Sequence, residues 1–152
     1  METWELEARE AIRDTLAAYH HHGDRLQITE LAALFTLDGV LEVRGRAPAV
    51  GREAIIAFLA PDRLPRGTPA APGAPRWYVR HHLATVWIER IGPTDAEVRA
   101  YFSVISPIGL DHWGRYHDRL VLDGDRWRFT HRHVGVDGYA PESAFAPLTE
   151  AD

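Results

Sequence analysis

The first twenty residues alternate between apolar and polar positions with the period of a helix. Apolar side chains recur at intervals of three and four residues, at Trp4, Ala8, Ile12, Leu16 and Tyr19. The charged residues between them fall on the opposite face, as in an amphipathic helix that covers a core. The pattern therefore predicts a helix over residues 4–22, which Gly23 ends.

Two shorter helices and one strand are predicted in the next forty residues. The same spacing of apolar residues indicates helices over residues 27–35 and 51–59. Between them, the pair Asp38-Gly39 is typical of a turn that leads into a short strand over residues 40–44. This part of the chain is therefore predicted to be mainly helical.

From residue 77 onward the pattern is that of strands. Aromatic and β-branched residues dominate four segments, at residues 77–91, 97–106, 113–122 and 127–136. Short turns join these segments, so neighbouring strands are predicted to be antiparallel. Helices followed by a curved meander of strands predict an α+β domain in which the helices cover one face of the sheet.

Proline marks one long break in this pattern. The segment from Pro61 to Pro75 holds five of the ten prolines, which predicts an irregular loop over residues 61–76. A loop of that length in a domain is a lid or a disordered insertion.

Residues 139–152 read as a C-terminal tail. The length of 152 residues fits one domain, which we place at residues 1–138.

Composition excludes several classes of protein. The formal net charge is −5, whereas nucleic-acid binders usually carry a basic surplus, so no nucleic-acid partner is expected. The chain has no cysteine, which rules out disulfides, thiolate catalysis and zinc–thiolate sites. No apolar run approaches the roughly 20 residues that span a bilayer, and the N-terminus lacks a signal-peptide pattern. We expect a cytoplasmic protein without a membrane partner.

Three residues that are distant in sequence are the main candidates for chemistry. Asp24 follows the first helix, His81 lies early in a strand and Arg132 lies in the last strand. A carboxylate, an imidazole and a guanidinium around an apolar cavity suffice for proton transfer without a cofactor. Spacing alone also allows Asp24 to be a surface acid, and it does not decide whether His81 or His82 faces the interior, because side chains alternate along a strand.

The nine histidines raise the question of a metal site. Successive residues of a helix diverge by about 100°, so the triplet at residues 20–22 is unsuited to chelation of one ion. His131 and His133 share a strand face, but no acidic residue or further histidine is evidently placed to complete a site with them. We therefore expect neither a metal nor an organic cofactor.

The order of several short motifs resembles the SnoaL-like branch of the nuclear transport factor 2 superfamily. The motifs are Tyr-x4-Asp at residues 19–24, Phe-x2-Asp-Gly-Val at 35–40, Gly-Arg-Glu-Ala-Ile at 51–55, Arg-His-His at 80–82 and Asp-Gly-Asp-Arg-Trp-Arg-Phe at 123–129. The resemblance implies a cone-shaped α+β barrel, with a curved mixed or antiparallel sheet and three N-terminal helices around a deep pocket. It also implies assembly through the outer sheet face as a homodimer or homotrimer.

Within this branch, the pattern is closest to scytalone dehydratase, the bile-acid dehydratases and hexachlorocyclohexane dehydrochlorinase. The resemblance implies that Asp24 orients His81 as a base. It also implies that Arg132, assisted by Tyr19, stabilises an oxygen or a leaving group. Asp118 matches the acid of SnoaL-type polyketide cyclases and is the alternative acid–base group.

We accordingly predict a cofactor-independent lyase of the dehydratase type that acts on a hydrophobic, ring-containing small molecule. The lining predicted for the pocket is rich in aromatic and aliphatic side chains, which favours such a substrate. The first alternative is a polyketide or terpenoid cyclase or isomerase that uses Asp118. A second alternative, from another class, is a ligand-binding or subunit-association module without catalytic activity.

Overall fold

Helices and strands occupy separate parts of the chain. A computed structural model describes residues 1–62, 72–73 and 76–146. The helices in these ranges are α1 (Thr3–Asp24), α2 (Ile28–Ala32) and α3 (Arg52–Phe58). The strands are β1 (Phe35–Val43), β2 (Ala49–Val50), β3 (Arg80–Ile91), β4 (Asp95–Ser106), β5 (Gly109–Asp123) and β6 (Arg126–Tyr139). Within the same ranges, no helix has the length and apolar character needed to cross a membrane.

The described strands form one sheet with the order β2-β1-β6-β5-β4-β3. Strands β1 and β6 pair in parallel, whereas all other neighbours are antiparallel. The predicted α+β class, with a curved mixed sheet and three helices, is confirmed. The cone shape around an enclosed pocket stays a prediction.

The core lies between the helices and the inner face of the sheet. Helix α1 buries Ile12 and Leu16, and the sheet contributes the fully buried rings of Phe35 and Phe129. Burial of such side chains removes them from water and is the main stabilising term. Because α1 packs against β3 and β6, polar residues at its C-terminal end reach the same interior.

The sequence predicts that helix α1 ends at Gly23, but the structure differs. The helix continues to Asp24, and Leu26 then takes the left-handed conformation, with φ of 58°. The reversal is stabilised by the Gln27 N–H, which donates to the His22 carbonyl at 2.9 Å. Asp24 is therefore part of the helix, which fixes the direction of its side chain.

The predictions for residues 27–44 are wrong in two places. Helix α2 is shorter than expected, because Phe35 is drawn into β1 by its pairing with Phe129 of β6. The pair Asp38-Gly39 does not precede β1 but lies inside it, where the register with β6 shifts between Phe35 and Val40. The turn residues are accommodated as an irregularity of the strand.

Among the β-bulges of the described strands, one in β3 and one in β6 change which side chains face the core. In β3 the register shifts between Ala84 and Trp87, so Thr85, at φ 49°, does not continue the inward row that His81 begins. In β6 the register shifts opposite Arg119 and Leu120, which leaves Thr130 as the extra residue. The second bulge lets both Phe129 and Arg132 point inward.

The C-terminal segment after β6 is packed, which corrects the prediction of a tail from residue 139. The Ala140 N–H donates to the Asp111 carbonyl at 2.7 Å. The Phe145 ring lies 4.8 Å from that of His112. Residues 139–146 therefore belong to the fold. Residues 147–152 lie outside the described residues, as does most of the predicted loop at 61–76, so its role as a lid is a prediction only.

Candidate active site

Asp24 and His81 form a hydrogen-bonded pair between α1 and β3. His81 Nδ1 lies 2.6 Å from Asp24 Oδ1, and the His81 backbone N–H donates to Asp24 Oδ2 at 3.0 Å. The side chains are only 9% exposed for Asp24 and 24% for His81. One carboxylate thus holds both the backbone and the ring of the same residue. With Nδ1 facing a carboxylate, Nε2 is the ring nitrogen left for a substrate.

A third residue, His20, completes the surroundings of His81. Its ring is stacked on the His81 ring, with centroids 5.0 Å apart and an interplanar angle of 17°. His20 is buried, and neither ring nitrogen has a hydrogen-bond partner among the described residues. Burial lowers the pKa of His20 well below its ordinary value, and the charges of Arg132, His81 and His21 lower it further. His20 is therefore an uncharged imidazole at neutral pH.

A second histidine–aspartate pair faces the first. His112 Nδ1 lies 2.8 Å from Asp111 Oδ1, and the His112 ring is 6.5 Å from the His81 ring and nearly perpendicular to it. Asp111 also accepts hydrogen bonds from Ser106, at 2.7 Å, and Ser143, at 2.5 Å. Burial lowers the pKa of His112, although Asp111 opposes that shift. His112 is thus an uncharged imidazole at neutral pH, beside the ring of His81.

The carboxylate of Asp111 is stabilised by its hydrogen bonds. Burial raises its pKa, but the hydrogen bonds from Ser143, His112 and Ser106 outweigh burial and leave the pKa below its ordinary value. An ionised Asp111 orients His112 in the same way as Asp24 orients His81.

Arg132 and Asp118 form a fully buried ion pair. Arg132 Nε and Nη2 donate to the two oxygens of Asp118, each at 2.8 Å, and both side chains are 0% exposed. Burial lowers the pKa of Arg132, but the Asp118 carboxylate outweighs this effect and raises it. The third guanidinium nitrogen, Nη1, has no partner among the described residues. The charge of Arg132 is thus compensated, with one donor left free.

Three aromatic rings enclose the guanidinium. Arg132 Cζ lies 4.2 Å from the ring centre of Tyr19, 4.0 Å from that of Tyr116 and 4.4 Å from that of Phe129. Such cation–π contacts are favourable in desolvated surroundings. Burial raises the pKa of Tyr19, with Arg132 opposing the shift, and raises that of Tyr116 well above its ordinary value. Both tyrosines are therefore neutral at neutral pH.

The five candidate residues of the sequence form two groups. Asp24 and His81 make one pair, while Tyr19, Asp118 and Arg132 meet deeper in the core. The two groups are bridged by the rings of His20 and Tyr116, which are 5.5 Å apart. The catalytic roles of the five residues stay predictions.

The sequence pattern did not predict three further residues of the site, which are His20, Asp111 and His112. His20 lies four residues before Asp24, which places the two on one helix face. His112 lies an even number of residues before Asp118 in the same strand, which places the two on one face of it. These two were therefore detectable by spacing. The burial of Asp111 was not, because it is the extra residue at a bulge, where Val104 pairs with His112 and Ile105 with Leu110.

Two hollows lie on the outer face of the sheet rather than beside the His81 ring. The larger one has a volume of about 520 Å³ and is lined by Tyr101, Phe102, Trp113, Gly114, Arg115 and Asp137. The other, of about 350 Å³, includes Arg44, His117 and His133. Neither is lined by Asp24 or His81. An enclosed pocket at the His81 site is therefore still an expectation from the family resemblance.

Possible metal ligands occur on the outer face of the sheet. Glu89, Glu97 and His117 bring one ligand atom each within 4.8 Å of the others. However, Arg99 donates to Glu89 and Arg90 donates to Glu97, so these carboxylates are already neutralised. Around His131 and His133, the described residues form no group of three metal ligands, although one acidic residue lies beside His131. Pairing of β1 with β6 places Glu42 Oε2 2.8 Å from His131 Nε2.

A family model for the SnoaL-like domain matches residues 4–133, a range that includes every residue of the site except Ser143. The chain belongs to the SnoaL-like domain family. This membership confirms the resemblance indicated by the motifs. None of the curated proteins matches the chain in sequence.

Solved structures similar to this SnoaL-like protein share its whole fold. A candidate scytalone dehydratase from Novosphingobium aromaticivorans is 23% identical, with 100% of each chain covered and a TM-score of 0.74. An NTF2-like protein with a cystatin-like fold, from the same organism, is 23% identical, with 90% of this chain and 87% of that chain covered and a TM-score of 0.69. The sheet and helices of the SnoaL-like protein thus have the NTF2-like, cystatin-like arrangement.

A third similar structure holds a small molecule. It is a protein from Catenulispora acidiphila in complex with S-DNPA, and it is 26% identical to the SnoaL-like protein described here. The match covers 87% of this chain and 95% of that chain, with a TM-score of 0.72.

Proposed function

We propose that the protein is a cofactor-independent lyase of the dehydratase type. The observation that carries the proposal is the hydrogen bond between His81 and Asp24, at 2.6 Å. A carboxylate on Nδ1 orients the ring and stabilises the imidazolium that forms when Nε2 accepts a proton. His81 is the base in this proposal, and Asp24 orients it.

The proposed reaction begins at a carbon next to a carbonyl group. His81 Nε2 removes a proton from that carbon, and the C–H electron pair is delocalised onto the carbonyl oxygen as an enolate. The enolate then re-forms the carbonyl and makes a double bond to the carbon that bears the hydroxyl group. The hydroxyl group leaves with its electron pair and takes up the proton from the His81 imidazolium, so that one molecule of water is released and His81 is again neutral. A positioned base of this kind contributes about 10² to 10⁴ in rate.

Arg132 and Tyr19 are proposed to stabilise the oxygen that becomes negative during proton abstraction. The support is that Arg132 Nη1 has no hydrogen-bond partner among the described residues and that Arg132 Cζ lies 4.2 Å from the centre of the Tyr19 ring. Donors that are fixed before the reaction stabilise developing charge more effectively than water does. Asp118 reduces the net charge of this site while it holds the guanidinium in place.

The substrate is proposed to be a hydrophobic ring compound of small size. The ring of His112 lies beside His81 and contacts Phe102, which in turn stacks on Tyr116. Aromatic surroundings of this kind favour a planar apolar ligand. One structural relative holds a small molecule, S-DNPA, which supports the binding of a small molecule by this fold. Assembly as a homodimer or homotrimer remains a prediction from the resemblance.

Asp118 is less suited to the alternative role of acid–base group in a cyclase or isomerase. Both of its oxygens accept hydrogen bonds from Arg132, and its side chain is fully buried. A carboxylate that is fully buried and held at both oxygens by one guanidinium is poorly placed to reach a proton of a substrate. The geometry therefore favours a structural role for Asp118.

A non-catalytic binding module is the second candidate function. It is favoured by one observation, namely that the two hollows described above lie on the outer face of the sheet. Exposed rings of Trp87 and Tyr101 belong to strands of the same sheet. Such a module would retain all of its binding when His81 is replaced.

The proposal is tested with 3-hydroxy-1-tetralone, a bicyclic β-hydroxy ketone. Loss of water from carbons 2 and 3 gives an enone that tautomerises to 1-naphthol, which is measured by its absorbance. We expect turnover by the wild type, a loss of about 10² to 10⁴ in His81→Ala, and near-normal turnover in the matched control His82→Ala. Full activity of His81→Ala would exclude the proposed mechanism.

A further inference from the structure

We propose that His20 is a positioning residue for His81. In this proposal the face of the His20 ring covers the hydrogen bond between His81 and Asp24 and holds the His81 ring in one plane. The inference rests on the proposed function, because it assigns His20 a role only through His81. His20 itself does not contact the reacting atoms.

Helix α1 supplies both partners of the His81 ring. Asp24 binds the edge of the ring at Nδ1, at 2.6 Å, and His20 stacks on its face, with centroids 5.0 Å apart. The two residues are four positions apart, which places them one above the other on the helix surface. A hydrogen bond at the edge still lets the ring tilt, whereas a stacked ring on its face restricts that motion.

The contacts of His20 are made by ring faces and edges rather than by hydrogen bonds. It is 5% exposed, and neither nitrogen has a partner among the described residues. Its ring also contacts Tyr19 edge-on, at 5.3 Å, and lies 5.5 Å from Tyr116. A buried N–H without an acceptor is unfavourable, so stability alone would favour an apolar side chain. We therefore attribute the presence of a histidine at position 20 to the stacking of its ring on that of His81.

The charge state of His20 suits this role. The groups that face it are Tyr19 and His21 from α1, His81 from β3, Tyr116 from β5 and Arg132 from β6. Burial and the positive charge of Arg132 lower the pKa of His20 and keep it uncharged. An uncharged ring does not repel the proton that His81 accepts, whereas a second imidazolium at this distance would.

The test is NMR of protein labelled with ¹⁵N-histidine, without any substrate. The observable is the low-field proton on His81 Nδ1 in its hydrogen bond to Asp24, assigned by its absence in His81→Gln. We expect this signal in the wild type and in His20→Phe, which keeps an aromatic face. We expect its loss in His20→Leu, because water then reaches the bond and the proton exchanges. The matched control is His21→Leu, at the exposed neighbouring position, which should keep the signal.

Three results would overturn the inference. They are a wild type without the signal, a His20→Leu variant that keeps it, and a His20→Phe variant that loses it as His20→Leu does. Circular dichroism establishes that each variant is folded, and His20→Met replaces His20→Leu if the latter is not. Failure of the proposed function is a separate result, since it appears as retained turnover in His81→Ala and does not affect the NMR signal.

Discussion

Asp24 and Asp118 are both carboxylates of the inner face, and their partners determine what each can do. Asp24 divides its oxygens between the ring and the backbone N–H of His81. Asp118 gives both oxygens to Arg132 in a pair that is fully buried. The first arrangement orients a group that has a free nitrogen, and the second compensates a charge that has no access to water.

Replacement of Asp118 tests this difference. We expect Asp118→Asn to lower the free energy of unfolding by about 3–5 kcal/mol, because Arg132 is then buried without a counterion. Urea denaturation measures the effect. The control is Asp137→Asn, which removes a surface pair between the same two strands, Arg115–Asp137 at 55% and 36% exposure, and should cost at most about 1 kcal/mol. Equal losses in the two variants would contradict a structural role for Asp118.

The sequence identified residues of the site better than it identified their surroundings. The pairing of Asp24 with His81 follows from family motifs, whereas spacing alone did not distinguish His81 from His82. The role of His20 depends on a ring of another element that stacks on it. Contacts of that kind are set by tertiary packing and leave no periodic signal in the chain.

At the scale of elements, irregularities in the strands place the site. Alternation of side chains predicts one row of inward residues in each strand, but the bulges at Thr85 and Thr130 each shift the row by one position. The shift in β6 brings Phe129 and Arg132 onto one face. Helix type and strand type were predictable from periodicity, whereas bulges were not, because they depend on the partner strand.

Strands β5 and β6 approach each other closely at Gly114, and a substitution there tests this packing. A Cβ atom there would lie 2.1 Å from the Gly135 carbonyl oxygen and 2.9 Å from the Phe102 ring. We expect Gly114→Ala to lower the free energy of unfolding by about 1–3 kcal/mol, since backbone and ring must move. Thermal and urea denaturation measure the effect.

The control for Gly114→Ala is Gly23→Ala in the last turn of α1. Its nearest neighbour is the flexible end of Leu31, at 3.3 Å, and alanine is favoured over glycine in a helix by about 1 kcal/mol. We expect this variant to be as stable as the wild type or slightly more stable. A Gly114→Ala variant as stable as Gly23→Ala would contradict the packing described for β5 and β6.

At the scale of the molecule, the sheet order explains why distant residues meet. Strand β6 lies between β1 and β5, so Arg132 reaches Asp118 directly. Helix α1 crosses toward β3 and β6, which brings its end to His81. The α+β class followed from the order of helical and strand patterns. The parallel β1–β6 pair did not, because short turns predict only antiparallel neighbours.

Acid conditions should destabilise the whole molecule through its buried histidines. Burial lowers the pKa of both His20 and His112. Below the ordinary pKa of about 6.5, the unfolded chain binds protons that the folded chain does not, so stability falls as pH falls, by up to about 1.4 kcal/mol per pH unit for each group. Urea denaturation at pH 8, 6.5 and 5 should show this decline.

The variant His20→Phe isolates the contribution of His20 to that decline, because it removes one of the two buried histidines, His20, and leaves the other, His112. We expect a smaller loss of stability between pH 6.5 and pH 5 in this variant than in the wild type. Parallel curves for the two proteins would contradict an uncharged, buried His20.

The central claim is that His81 abstracts a proton from carbon. Deuterium exchange at carbon 2 of 1-tetralone tests it most directly. This ketone has no hydroxyl group to lose, so exchange reports proton abstraction alone. We expect that the wild type and His82→Ala accelerate exchange above the buffer rate, and that His81→Ala is slower by about 10² to 10⁴. Exchange in His81→Ala as fast as in the wild type, or no acceleration by the wild type, would contradict proton abstraction by His81.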